Sequence, residues 1–207
     1  MPRDARIVVP GLPHHVTHRG NHRDLIFKTP KDRRIYWRLL RKAVEEYAIR
    51  VWNYCLMPNH VHVIAVPEYR ESLAEAFGDA HGTYTELFNA KYGVVGHLWQ
   101  GRFKSYVMDE SHLWNAARYV ERNPVRAGLV RRAEDYSFSS APSHCGLRRD
   151  PLLSPDLPLL PKIENWAEWL HGEESDETLK AIRRHAARGL PCGSPEFLRK
   201  ILKEQAS

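Results

Sequence analysis

Two runs of β-branched and aromatic residues, 50–57 (RVWNYCLM) and 60–66 (HVHVIAV), are separated by the dipeptide Pro58-Asn59. Short apolar runs joined by a two-residue turn read as a β-hairpin, and this hairpin sets the frame for everything around it. Before it, Ile35, Leu39, Leu40, Val44 and Tyr47 recur at helical spacing after a Thr29-Pro30 start, which predicts an amphipathic helix over 30–48. After it, Leu73, Phe77, Ala80, Tyr84, Leu87 and Phe88 predict a second helix over 70–91, ending before Gly93. Residues 14–19 (HHVTHR) and 102–108 (RFKSYVM) read as further strands, and 110–122 (ESHLWNAARYVER) as a third helix that Pro124 limits. The order β-α-β-β-α-β-α predicts an α+β fold. A ferredoxin-like antiparallel sheet carries two helices on one face, and the third helix covers the other.

Residues 1–145 are expected to form that domain. Residues 146–207 read as a connector with Pro151, Pro155, Pro158 and Pro161, followed by a mainly helical tail from about 163. A chain of 207 residues with 43% hydrophobic residues can bury a real core, which excludes wholesale disorder. Cys55, Cys145 and Cys192 form no C-x-x-C pair, so neither a disulfide framework nor a Cys-rich zinc site is expected. No run approaches the ~18 apolar residues of a membrane span, and a membrane is not an expected partner.

Charge is unevenly placed. Residues 1–50 hold 12 Lys and Arg against 5 Asp and Glu, a net of +7, and residues 101–150 come to +3, while the other two stretches are slightly acidic. Basic segments interleaved with Trp and Tyr suit a polyanion with bases to stack, which makes nucleic acid the partner to test first.

His60-Val61-His62 puts two imidazoles on one strand face with their Cα atoms about 7 Å apart, close enough to share a metal ion. Val61, Val63 and Ala65 point the other way, under the two helices. On the third helix, Leu113, Ala117 and Val120 form an apolar side, while His112, Asn115, Tyr119 and Asn123 form a polar stripe expected to face the sheet. Tyr119 and Asn123 are one turn apart, so both can reach one ion-centred site. His14, His15, His18 and His22 crowd the first strand and turn, where they read as DNA contacts or surface histidines.

Pro58-Asn59-His60-Val61-His62 resembles the HUH motif of single-tyrosine, single-strand transposases. Within that group, His15-Val16-Thr17-His18-Arg19-Gly20-Asn21, Leu98-Trp99-Gln100-Gly101-Arg102-Phe103-Lys104 and Arg118-Tyr119-Val120-Glu121-Arg122-Asn123-Pro124 are similar to the REP-associated tyrosine transposases, as is the tail segment around Gly189-Leu190-Pro191. Asn123 stands where related insertion-sequence transposases carry Gln, as suits the REP-associated branch. The resemblance implies a cytoplasmic, nucleoid-associated bacterial endonuclease and strand transferase that nicks single-stranded DNA beside a palindromic hairpin. It makes Tyr119 the nucleophile that forms a 5′-phosphotyrosine link, and His60, His62 and Asn123 the ligands of Mg²⁺ or Mn²⁺.

Arg19, Asn21, Arg23, Arg102, Lys104, Arg118 and Arg122 are candidate DNA contacts, with Arg102 and Arg122 favoured because they flank the expected site. The C-terminal tail suits action as a monomer. The alternative reading is a non-catalytic hairpin-DNA-binding regulator derived from a transposase.

Overall fold

The computed structural model describes residues 6–159, 162–172 and 174–205; Pro161 of the connector lies outside them. Four antiparallel strands, β1 (His14–Arg19), β2 (Ile49–Met57), β3 (His60–Pro67) and β4 (Lys104–Val107), form one sheet in the order β2-β3-β1-β4. Helices α1 (Pro30–Glu46) and α2 (Ser72–Tyr92) lie on one face and α3 (Glu110–Glu121) on the other, as the element order predicts. The strand period of two divides the side chains between two cores. Val16, Val61, Val63 and Ala65 pack with Tyr36, Leu40, Leu73 and Phe77 of α1 and α2. Ile64, Val66 and Tyr106 pack with Leu113, Ala117 and Val120 of α3.

Local chemistry sets the element ends. Thr29 caps α1 in a reciprocal capping box, accepting from Asp32 N while Asp32 Oδ2 accepts from Thr29 N at 2.7 Å, and Pro30 supplies the first helical position. Gly93, at φ +63°, closes α2 in the left-handed conformation that glycine adopts without strain. The β2–β3 register slips between Val51 and Asn53, so consecutive residues Trp52 and Asn53 both address the α3 side before normal alternation resumes at Tyr54.

Pro124 does not end the helical path after α3. Asn123–Arg126 form a further helical turn, α4, in which Pro124 occupies an early position that needs no backbone donor. Beyond the sheet, α5 (Ala141–His144), α6 (Trp166–His171), α7 (Asp176–Arg188) and α8 (Pro195–Gln205) complete the chain. The tail packs directly onto the domain: Leu157, Leu159, Trp166, Leu170 and Ile182 join the α3 core. Cys192 bridges Met108 beside the end of β4, donating its N–H to Val107 O at 2.9 Å. Among the described residues, no helix is long and apolar enough to cross a membrane.

Candidate active site

The β1–β3 register places Arg19 opposite His60, Thr17 opposite His62 and His15 opposite Ile64, and Tyr106 of β4 pairs with His15. Alternation then gathers His15, His60, His62 and Tyr106 on the face that α3 covers. The rings of His60 and His62 stand 4.9 Å apart. The Nδ1 of His60 bonds Asn59 Oδ1 at 2.6 Å, and that of His62 bonds His15 Nε2 at 2.8 Å. His15 Nδ1 continues to Tyr106 Oη at 3.0 Å. Both metal-ligand candidates therefore have Nδ1 held by a neighbour, which orients the rings and, in the tautomer with Nδ1 as donor, leaves the Nε2 lone pair for a ligand.

Burial drives the pKa of His15 down to about 3 and, with Arg19 nearby, that of His60 to about 4. His62 is pushed down too, by burial and by the positive neighbours around it. Neutral imidazoles with open lone pairs are what a divalent cation requires.

Tyr119 reaches this cluster from α3. Its ring meets His62 nearly edge-on at 5.7 Å between centroids and His15 at 6.1 Å. The guanidinium of Arg126 lies 4.2 Å over the other side of the ring and bonds the Tyr119 carbonyl. The hydroxyls of the other buried tyrosines, Tyr36, Tyr54, Tyr84, Tyr106 and Tyr136, are all hydrogen-bonded. Among the described residues, none hydrogen-bonds the Tyr119 hydroxyl, although the residue is only 8% exposed. Asn123 is buried one turn on, and its Nδ2 donates to the Tyr119 carbonyl at 3.1 Å, which leaves Oδ1 as its acceptor. Among the described residues, no three His, Cys, Asp or Glu side chains are grouped to hold a metal. Two adjacent imidazoles and, one turn beyond Tyr119, an amide oxygen are donor types that suit a hard-to-borderline divalent ion such as Mg²⁺ or Mn²⁺.

The polar stripe does not face the sheet as a unit. Asn115 is exposed, and His112 bonds Asp109 Oδ1 at 2.7 Å at the helix cap, so only Tyr119 and Asn123 turn inward. The first-strand histidines are also placed differently from expectation. His14, His15 and His18 are buried, and only His22 is exposed. The β1 strand is central in the sheet, and both of its faces are covered.

The candidate DNA contacts scatter. Arg19 is exposed beside His60. Asn21 and Arg23 lie in a 3-10 turn fastened to the Pro58-Asn59 turn, with Asn59 Nδ2 donating to Arg23 O at 3.1 Å. Lys104 donates to Ala187 O at 2.7 Å, and Arg102 is exposed just before β4. Arg118 lies over Trp169 at 4.6 Å, and Arg122 pairs with Glu174 at 3.4 Å. Arg118 of α3 and Arg122 just after it are thus engaged by the tail. Sequence reasoning missed His15 and Arg126 as site residues. Alternation from Thr17 could have indicated the first; nothing local indicates the second.

Comparison with known proteins shows the family and the fold. A REP-associated tyrosine transposase of Haemophilus influenzae is 28% identical over 112 residues, which are 48% of this chain and 63% of the relative; the chain thus spans less than two thirds of that protein's length. A solved REP-associated tyrosine transposase bound to a REP hairpin superposes with a TM-score of 0.56 at 20% identity, covering 75% of this chain and 93% of that one, which shows a shared fold. The family model described as "Transposase IS200 like" matches residues 8–123, a span that holds the whole sheet, His60, His62, Tyr119 and Asn123. The chain belongs to the IS200-like transposase family.

Proposed function

We propose that this protein is a metal-dependent, single-stranded DNA endonuclease and strand transferase that recognises palindromic hairpin DNA of the REP type. The observation that carries the reading is a tyrosine ring packed against the His62 and His15 imidazoles, its hydroxyl without a hydrogen-bond partner among the described residues, next to the oriented His60–His62 pair. In this reading Tyr119 Oη attacks a phosphodiester phosphorus and the bond to the 3′ oxygen breaks. A 5′-phosphotyrosine and a free 3′-OH result, and the reverse attack by a 3′-OH rejoins strands. His60, His62 and Asn123 would hold Mg²⁺ or Mn²⁺, which when bound polarises the phosphate and offsets its developing charge. His15 and Tyr106 hold His62 in position, and Arg126 holds the Tyr119 ring and backbone. The hairpin partner is carried over from the solved relative, which binds one. The buried contacts that fasten α3 to its own chain support action as a monomer.

The test is Tyr119→Phe, which removes one oxygen and keeps the ring. A labelled hairpin oligonucleotide with a single-stranded flank should become covalently attached to wild-type protein in Mn²⁺ or Mg²⁺. The variant should bind the DNA and form no adduct. No adduct with either protein would favour the non-catalytic regulator, and cleavage by both without adduct would indicate attack by water.

A further inference from the structure

Much of the basic charge of the first quarter is not spent on the Tyr119 face. Helix α1 carries Lys31, Arg33, Arg34, Arg38, Arg41 and Lys42, and it lies on the opposite side of the sheet. There, α1 and residues 137–151 enclose a groove of about 450 Å³, lined by Arg34, Trp37, Arg38, Phe138 and Arg149, with Tyr54 in its wall. A second hollow of about 540 Å³ shares Arg148, Arg149, Asp150 and Pro151 with it and extends it toward Ser154.

Arg148 is part of the framework. It donates to Ser137 O at 2.7 Å and to Ser139 O at 2.9 Å, and pairs with Asp150 at 3.2 Å. Asp150 in turn accepts from Tyr54 Oη at 2.5 Å. The acidic lining is therefore already neutralised. Arg34, Arg38 and Arg149 are exposed and have no ion pair among the described residues, so they leave three net positive charges at the rim. Trp37 and Phe138 are half-buried between them, which gives aromatic surface beside exposed guanidinium groups.

We infer that this groove binds a segment of single-stranded DNA, separate from the Tyr119 site. Guanidinium groups spaced along an aromatic-lined channel match the alternating phosphates and bases of a single strand. The volume suits about one nucleotide in each hollow. The position is consistent with one DNA chain serving both faces. Tyr54 in the groove wall and Cys55, which pairs with His62, are consecutive on the edge strand β2 and point to opposite sides. The inference rests on the DNA-acting reading of the protein but not on its chemistry.

The experiment measures binding of a fluorescent dT12, which has no palindrome, to the full-length protein in EDTA over a series of salt concentrations. Replacing Arg34, Arg38 and Arg149 together by Gln should weaken binding at least tenfold. It should also reduce the slope of log K against log salt by about 2, the value for three lost phosphate contacts on a single strand. All three side chains are exposed, so the fold should survive, as circular dichroism would verify. Trp37→Leu should weaken binding about fivefold or more with the salt slope unchanged, because stacking releases no counterions.

Unchanged affinity and slope in the triple variant would overturn the proposal. So would poly-glutamate of matched charge competing as well as dT12, since the groove would then be a general anion attractor. Adduct formation at Tyr119 on a hairpin substrate, measured in the same triple variant, reports on the chemistry by itself. Loss of adduct in wild type with dT12 binding intact would refute the catalytic reading and spare the groove.

Discussion

Glu121, two residues after Tyr119, is completely buried and accepts four hydrogen bonds. Its Oε1 accepts from Asn53 Nδ2 at 2.8 Å, from Ser140 Oγ and from His144 Nδ1 at 2.6 Å, and its Oε2 accepts from Trp166 Nε1 at 2.7 Å. Burial alone would raise its pKa. The contacts with His144, Ser140 and Trp166 outweigh burial and hold the carboxyl below its ordinary value, so it is ionised at neutral pH. One carboxylate thus ties α3 to β2, to the α5 turn and to α6. Glu121→Gln keeps the volume and removes the charge and one acceptor. If the amide oxygen serves the three donors at Oε1, the NH₂ group faces the indole N–H of Trp166, donor against donor. The lost charged hydrogen bond is worth about 1.5–3 kcal/mol, and a buried unsatisfied donor costs about 1–3 kcal/mol more. The expected destabilisation is about 3–5 kcal/mol, in the range for breaking one side of a buried ionic contact. For a chain of this size that lowers Tm by roughly 6–20 °C. Urea denaturation at pH 7, followed by far-UV circular dichroism, measures it directly. A loss under about 1 kcal/mol would refute the view of Glu121 as the fastener of the tyrosine helix.

Acid should unfold the protein early. His14 and His18 are buried with folded pKa values lowered to about 4, chiefly by burial, and His81 is lowered for the same reason. The unfolded chain binds protons at these sites near pH 6.5 while the folded chain does not. Stability is therefore full above that pH and falls as pH drops toward about 4, by about 1.4 kcal/mol per pH unit for each histidine. A Tm that stays level from pH 7 to pH 5 would contradict this. Gly20→Ala should destabilise by at least about 1 kcal/mol in urea denaturation, because a Cβ there would lie 2.3 Å from Asp24 O and 2.9 Å from Ile26 Cγ2. Unaltered stability would mean that the turn beside Asn59 yields freely.

What the sequence determined by itself was periodic or local. The strand period puts His60 and His62 on one face, the β-α-β-β-α-β order dictates which strands neighbour, and Thr29-Pro30 and Gly93 mark helix ends, because each depends on residues within a few positions of one another. Helical periodicity also put Tyr119 and Asn123 one turn apart. It could not say which arc of α3 meets the sheet, so His112 and Asn115 stayed out while Tyr119 and Asn123 turned in. The contacts that build the site's surroundings join residues far apart in the chain: His15 with His62, His15 with Tyr106, Glu121 with Asn53 and Trp166. Burial of His18 against His81 and Trp99, and engagement of Arg122 by Glu174 of the tail, likewise depend on elements remote in the chain. Only the tertiary structure decided these, because a side chain's partner, its exposure and hence its protonation are properties of the packed interior, which no local stretch of sequence contains.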